Sequence, residues 1–309
     1  MILSPYSVVY ILQNMASKTT RFGIAKKDIE SFFEGFGTSV FFKKDLGRIL
    51  EEKRGFWRLP QSMSVSTFIR DLEEKSFLKS VTLKFPHRSY HLYTWKEISL
   101  YSLLQNAFPR HHFSHHTAAY FHGLTEQIPK NIYFRTELSR NPENESPENQ
   151  ELIDRVFKGK VRESNTFCLV NEFRIYSLFS KKLDDLGIIE MNLTDGSNIR
   201  LTDIERTLID ITVRPIYAGG LHEVLKIYQN SASIVSVNKL IAYLRKMNFT
   251  YPYHQSIGFL MQLAGNFSPT KIEQLKEIPM NMNFYLDYAM KEMEYSPEWK
   301  LYYPKFFKP

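Results

Sequence analysis

Between residues 26 and 95 the spacing of apolar side chains changes from a helical period to alternation, and that change fixes the order of secondary structure. From Lys26 to Phe36, the side chains Ile29, Phe32, Phe33 and Phe36 share one helical face. Lys44 to Lys53 repeats the pattern with Leu46, Ile49 and Leu50 and runs out toward Gly55. After Leu59-Pro60-Gln61, a cap at Ser62 or Ser64 starts a third helix, with Val65, Phe68, Ile69 and Leu72 at i, i+3, i+4 and i+7. Ser80 to Phe85 then alternates Val81, Leu83 and Phe85 with Thr82 and Lys84. Pro86-His87-Arg88-Ser89 turns the chain, and Tyr90 to Trp95 returns as a second strand. The face of the third helix opposite its apolar side carries Ser66, Thr67, Arg70 and Glu74.

Charge follows the same division. The first 100 residues hold 16 of the 40 Lys and Arg but 10 of the 33 Asp and Glu, so six of the seven surplus positive charges lie there and the rest is nearly neutral. Helix, helix, helix and a basic-tipped hairpin, in a basic module, predict a winged helix-turn-helix: the third helix enters the major groove and the hairpin contacts phosphate or the minor groove. Ser66, Thr67 and Arg70 are the expected contacts of that helix. Lys43, Lys44 and Arg48 are expected at the DNA backbone, and Lys84, His87 and Arg88 at the hairpin tip. The bland reading of the same pattern is a protein-binding module.

A chain of 309 residues has room for two domains. The expected class is α+β, with a winged-helix domain over residues 1–97 and a larger mixed α/β domain over 98–309 that ends in an aromatic-rich helical tail. The single cysteine, Cys168, excludes an intrachain disulfide and reads as a small buried hydrophobe in Phe167-Cys168-Leu169-Val170. Met1 to Leu12 has no preceding Lys or Arg and contains Ser4, Pro5 and Ser7, which argues against a secretory signal. No stretch approaches the roughly 20 apolar residues of a membrane span. The expected compartment is the cytoplasm. Ser139 to Gln150 has no apolar side chain and reads as an exposed loop within the second domain.

Two stretches of the second domain concentrate chemistry. Five of the nine histidines lie between Arg110 and Gly123, where Ser114 can cap a short helix and Gly123 can end it. His111 with His115, or His112 with His116, has the i, i+4 spacing of a metal-binding helix face, but no HExxH glutamate or partner cysteine accompanies them, so no metal is expected. Further on, Thr202 or Asp203 caps a helix that carries Glu205, Arg206 and Asp210 and stops before Pro215. Gly219-Gly220 opens the next helix, Leu221 to Tyr228. Gly196-Ser197 followed by Asp203 and Glu205 faintly echoes the metal-binding carboxylates of nucleotidyltransferases. The helical setting and the lack of a third carboxylate favour structural ion pairs instead.

Ser114-His115-His116-Thr117-Ala118-Ala119-Tyr120-Phe121-His122-Gly123-Leu124, followed by Pro129 and Ile132-Tyr133-Phe134, resembles the S-H-x-x-A-x-x-x-H-G-L signature of AbiEi-type antitoxins. Glu205-Arg206-Thr207-Leu208-Ile209-Asp210, with Pro215 and Gly219-Gly220, resembles their E-R-T-L-x-D … P … G-G signature. The pair, in order behind a winged helix, covers roughly residues 20 to 230. The resemblance implies a bacterial regulator: the antitoxin of a type IV toxin–antitoxin, or abortive infection, system. Such a protein represses its own operon on double-stranded operator DNA and counteracts a nucleotidyltransferase-like toxin without a stable complex. It also implies no enzymatic activity and no cofactor, with Ser114, His115, His122, Gly123, Glu205, Arg206 and Asp210 as motif residues of structural or antitoxin role. The alternative is a stand-alone winged-helix regulator whose second domain senses a ligand or partner.

Overall fold

The computed structural model describes residues 20–139 and 149–307. The reading of Met1 to Leu12 and most of the loop from Ser139 to Gln150 therefore lie outside the described residues. The chain divides into two compact units: one reaches to residue 80 and includes 93–97, and the other contains 81–92 and everything from 98 onward. The hairpin is thus shared, with its base in the first unit and its outer half in the second.

In the first unit, helix α1 (Arg21–Glu34) starts a turn earlier than the apolar pattern suggests, because the Thr20 hydroxyl accepts from the Gly23 N–H at 3.1 Å and caps it. Strand β1 (Val40–Phe42) follows, and it is too short for any alternation to announce it. Helix α2 (Lys43–Lys53) starts where the Asp45 carboxylate accepts from the Phe42 N–H at 2.9 Å. Helix α3 (Val65–Lys75) is capped by Ser64, which accepts from the Thr67 N–H at 3.1 Å. Strands β2 (Leu78–Phe85) and β3 (Arg88–Trp95) form the hairpin, and β1 pairs on β3 to give the order β1-β3-β2. The core is aromatic: Phe33 stacks on Trp95 at 4.6 Å between ring centres, and Trp57 stacks on Phe68 at 6.0 Å. Each such ring removed from water contributes about 1.5–3 kcal/mol before entropy is counted.

The second unit is built on a six-stranded sheet in the order β6-β7-β5-β4-β9-β8. Helix α4 (Leu100–Ala107) leads to β4 (His112–Phe113), α5 (His115–Phe121) and β5 (Asn131–Glu137). After α6 (Gln150–Lys158) come β6 (Phe167–Val170), β7 (Phe173–Ser180), β8 (Ile188–Asn192) and β9 (Asn198–Thr202). The pairs β5/β7 and β4/β9 are parallel, and the other three are antiparallel. Helix α7 (Ile204–Val213), a 3-10 turn at Pro215–Ala218 and helix α8 (Leu221–Ser231) follow.

The tail is helical through α9 (Val237–Met247), α10 (Tyr253–Ala264) and α11 (Pro269–Lys276). It then forms a small sheet in the order β10-β12-β11, from β10 (Phe284–Tyr285), β11 (Met293–Ser296) and β12 (Leu301–Pro304). The architecture is mixed α+β. No described helix is long and apolar enough to cross a membrane. Most of the tail's aromatic side chains are core: Phe284, Tyr285, Trp299, Tyr303 and Phe307 are buried, whereas Phe306 is exposed.

The tightest junction in the tail is between α10 and the indole of Trp299, which is wholly buried. A Cβ on Gly258 would overlap that ring, so only glycine lets the two surfaces meet. Gly258→Ala should lower unfolding free energy by about 1–3 kcal/mol in urea titrations, and Trp299→Leu in the same background should recover part of the loss.

Candidate functional site

The start of α2 and the start of α3 meet in the first unit. The Lys43 ammonium lies 3.3 Å from the Ser66 hydroxyl. Lys43, Lys44, Arg48, Ser66 and Arg70 are all exposed, and Thr67 is half-buried. Arg48 lies 3.9 Å from Asp45, and the Lys44 ammonium sits 5.7 Å over the Phe42 ring. Lys43, Lys44 and Arg70 make no ion pair among the described residues. The Thr67 hydroxyl is engaged at 3.0 Å with the Ser64 hydroxyl of the cap. Of the three contacts expected on this face, Arg70 and the Ser66 hydroxyl proton therefore remain the freer donors.

Lys84, His87 and Arg88 are exposed at the hairpin's outer half and belong to the second unit. The Arg88 guanidinium stacks 4.8 Å over the Tyr90 ring, and that ring meets Phe108 edge-on at 4.9 Å. His87 and Arg88 line a cavity of about 320 Å³ with Phe85, Tyr90, Phe108 and His111.

The two body motifs, some ninety residues apart, come together. Their centre is Asp210, whose carboxylate accepts from Arg135 at 2.9 Å and from the Arg206 Nε at 3.2 Å. Arg206 and Asp210 lie one turn apart on α7, and Arg135 comes from β5, opposite His112 of β4. The Arg206 side chain is only 2% exposed and that of Asp210 4%. Burial raises the Asp210 carboxyl pKa, but Arg135 and Arg206 outweigh it and hold the carboxyl well below its usual range. Arg206 also donates to the Leu186 carbonyl at 2.9 Å.

His115 is the unusual member. It is fully buried, and its backbone lies in the left-handed region at φ +52. Its Nε2 is 3.4 Å from an Arg135 amino group, which can only donate, so Nε2 accepts and Nδ1 carries the proton. That N–H donates to the Ser114 hydroxyl at 2.9 Å. Ser114 thus occupies the N-cap position of α5 without capping it through its side chain, a correction to the sequence reading: the neighbouring imidazole takes its hydroxyl. Gly123, at φ +68, ends the segment as expected. His122 donates to the Thr202 carbonyl at 2.7 Å and so ties the first motif to the strand end three residues ahead of the second.

The remaining expectations separate cleanly. Helix α5 begins only at His115, so His111 and His112 lie ahead of it and no i, i+4 helix face forms with His115 and His116. No cluster of three metal-type ligands occurs among the described residues. Asp203 and Glu205 are closed off by Lys239, whose ammonium lies 3.0 Å and 2.9 Å from them. Burial raises the Glu205 carboxyl, and the Ser236 N–H and Lys239 overcome it and draw it down. Asp203 also caps α7, accepting from the Arg206 N–H at 2.9 Å. These are structural ion pairs. Cys168 is buried, and burial pushes its thiol up to about 11, away from nucleophilic use. Sequence reasoning missed Arg135 and Lys239; for Arg135 the available signal was an arginine directly after the apolar run Ile132-Tyr133-Phe134.

No family model matches the chain, and no curated protein does either. In fold it is similar to the crystal structure of the RV2827C protein from Mycobacterium tuberculosis, with a TM-score of 0.59, 13% identity and 91% of each chain covered. At that identity the likeness is one of fold.

Burial, with Arg135 beside it, holds the His115 imidazole down at about 3, against an ordinary value of 6.5. Below 6.5 the unfolded chain therefore binds a proton that the folded chain refuses. The stability His115 contributes is full above that pH and drains as pH falls toward 3, by about 1.4 kcal/mol per pH unit. Urea denaturation stepped from about pH 7 to about pH 5 should show at least this slope, because burial also lowers His111, His112, His116, His122 and His254, and His115→Gln should reduce it by up to about 1.4 kcal/mol per pH unit.

Proposed function

We propose that the chain is a DNA-binding transcriptional repressor of the AbiEi antitoxin type, with no reaction of its own. The first unit, with the hairpin, reads double-stranded operator DNA as a winged helix-turn-helix. The observation that carries this is the Lys43–Ser66 contact at 3.3 Å, which sets the basic start of α2 beside the polar start of α3. Lys44 and Arg70 are exposed near it, without ion pairs among the described residues. Exposed cations beside short hydroxyl side chains, at the ends of two short helices, are the equipment for holding phosphates while presenting donors to base edges. Lys84, His87 and Arg88 supply the contacts of the wing.

The antitoxin half of the proposal rests on the resemblance of the two body motifs. Its support is that Ser114, His115, Arg206 and Asp210 join one buried network through Arg135 rather than lying scattered. The toxin would be nucleotidyltransferase-like, counteracted in the cytoplasm without a stable complex. A stand-alone regulator with a ligand-sensing body is the second reading, and the cavity beside Asp210 favours it. A nucleotidyltransferase gene directly downstream would decide between them.

Gel-shift titration on duplex from upstream of the chain's own gene tests DNA recognition. Arg70→Ala should weaken binding by roughly 1–3 kcal/mol and relax base preference at one position. Lys43→Ala combined with Lys44→Ala should weaken all sequences alike and reduce the logarithmic salt slope by about 2. Binding indifferent to salt, or unchanged by all three substitutions, would remove the proposal's basis.

A further inference from the structure

The Asp210 network is short of negative charge. One buried carboxylate serves two guanidinia, Arg135 and Arg206, while the imidazoles of His112 and His115 beside it are held neutral by burial. A buried cation without a full counter-charge is costly, and its cheapest remedy is an anion from solution. Next to this network lies a cavity of about 530 Å³, within the range of small-molecule sites. Arg135, Arg206 and Asp210 form part of its wall, joined by Arg162, Lys181 and Arg214. Against these five cations stand, among the described lining residues, two carboxylates, Asp210 and Glu163.

Two further observations point to a ligand. Among the described residues, the buried Arg135 Nε and the buried Ser180 hydroxyl have no hydrogen-bond partner, and both residues line this cavity. Arg162 and Lys181 make no ion pair among the described residues. Arg214, by contrast, is partly engaged, donating to the Tyr288 hydroxyl at 2.7 Å. The cavity is larger than a bare oxyanion requires, and Ser164, Thr166 and Ser177 add hydroxyl-bearing side chains to its lining.

We propose that this cavity binds a small organic phosphate, with the phosphate held by Arg135, Arg162 and Lys181 and a hydroxyl-bearing body lying along the serine and threonine side chains. A dianionic phosphate matches the excess of fixed positive charge better than a single carboxylate does, and the planar guanidinium fork suits its oxygens. The site lies wholly within the second unit, so it stands or falls independently of DNA recognition by the first.

Isothermal titration of the full chain with inorganic phosphate, glucose 6-phosphate, AMP and citrate tests this. The expected result is saturable one-to-one binding of at least one organic phosphate, tighter than inorganic phosphate and citrate. Arg162→Ala combined with Lys181→Ala, at positions away from the buried network, should weaken it by roughly tenfold or more. Arg135→Lys, which keeps the charge but loses the fork, should weaken it less than Arg135→Met, with thermal melts confirming that each variant is folded. No saturable binding up to about 10 mM of any probe would overturn the site. Citrate binding as tightly as the phosphates would overturn the ligand class, and affinity unchanged by the Arg162 and Lys181 substitutions would overturn the location.

Discussion

The second unit depends on a single carboxylate. Among the described residues, Asp210, 4% exposed, is the only acidic group in direct ion pairs with Arg135 and Arg206, and through them it joins a central strand of the sheet to the helix packed on it. Both guanidinia are largely withdrawn from water, where an ion lacking its partner costs several kcal/mol. The arrangement is therefore less a source of net stability than a constraint on it. Strand β5 and helix α7 have to stay in one register, because any slip strands a buried charge. His115 is fixed by the same constraint, its ring held between Ser114 and Arg135 on a backbone conformation that non-glycine residues seldom adopt.

Around that centre other polar groups are closed off in pairs and triples. Glu223 accepts from Thr125 at 2.5 Å and from Gln127 at 2.7 Å, and Lys239 seals Asp203 and Glu205. Among the described residues, Arg162 and Lys181 at the cavity beside Asp210 in the second unit make no ion pair, nor do the exposed Lys43, Lys44 and Arg70 on α2 and α3 in the first. Both proposals follow from that asymmetry. Cations without ion pairs invite phosphate, on a nucleic acid in one case and on a small molecule in the other.

Much of the first unit was legible in the sequence, since α2, α3 and the hairpin follow from apolar spacing within ten or so residues. The errors have local causes. The start of α1 was placed late because its cap, Thr20, lies ahead of the first strongly apolar run, and β1 is three residues long and leaves no periodic trace. In the second unit the positions of α5, α7 and α8 were readable from Gly123, Asp203 and Gly219-Gly220. The partners of the motif residues were not. Arg135 meets Asp210 across 75 residues of chain, and Lys239 meets Asp203 across 36, so no local pattern encodes either pair.

The sequence by itself determined where α2, α3, the hairpin, α7 and α8 form, because apolar period and capping side chains act over one or two turns, whereas the tail expected to be helical ends in a small sheet. It also placed the surplus positive charge in the first third of the chain and showed two motifs that resemble one family. Only the tertiary structure decided that those motifs share one buried network, that the histidines at i, i+4 spacing do not share a helix face, and that the outer half of the hairpin belongs with the second unit. The physical reason is that charge pairing depends on distance in space and on exclusion of water, and both are set only when segments far apart in the chain close over one another.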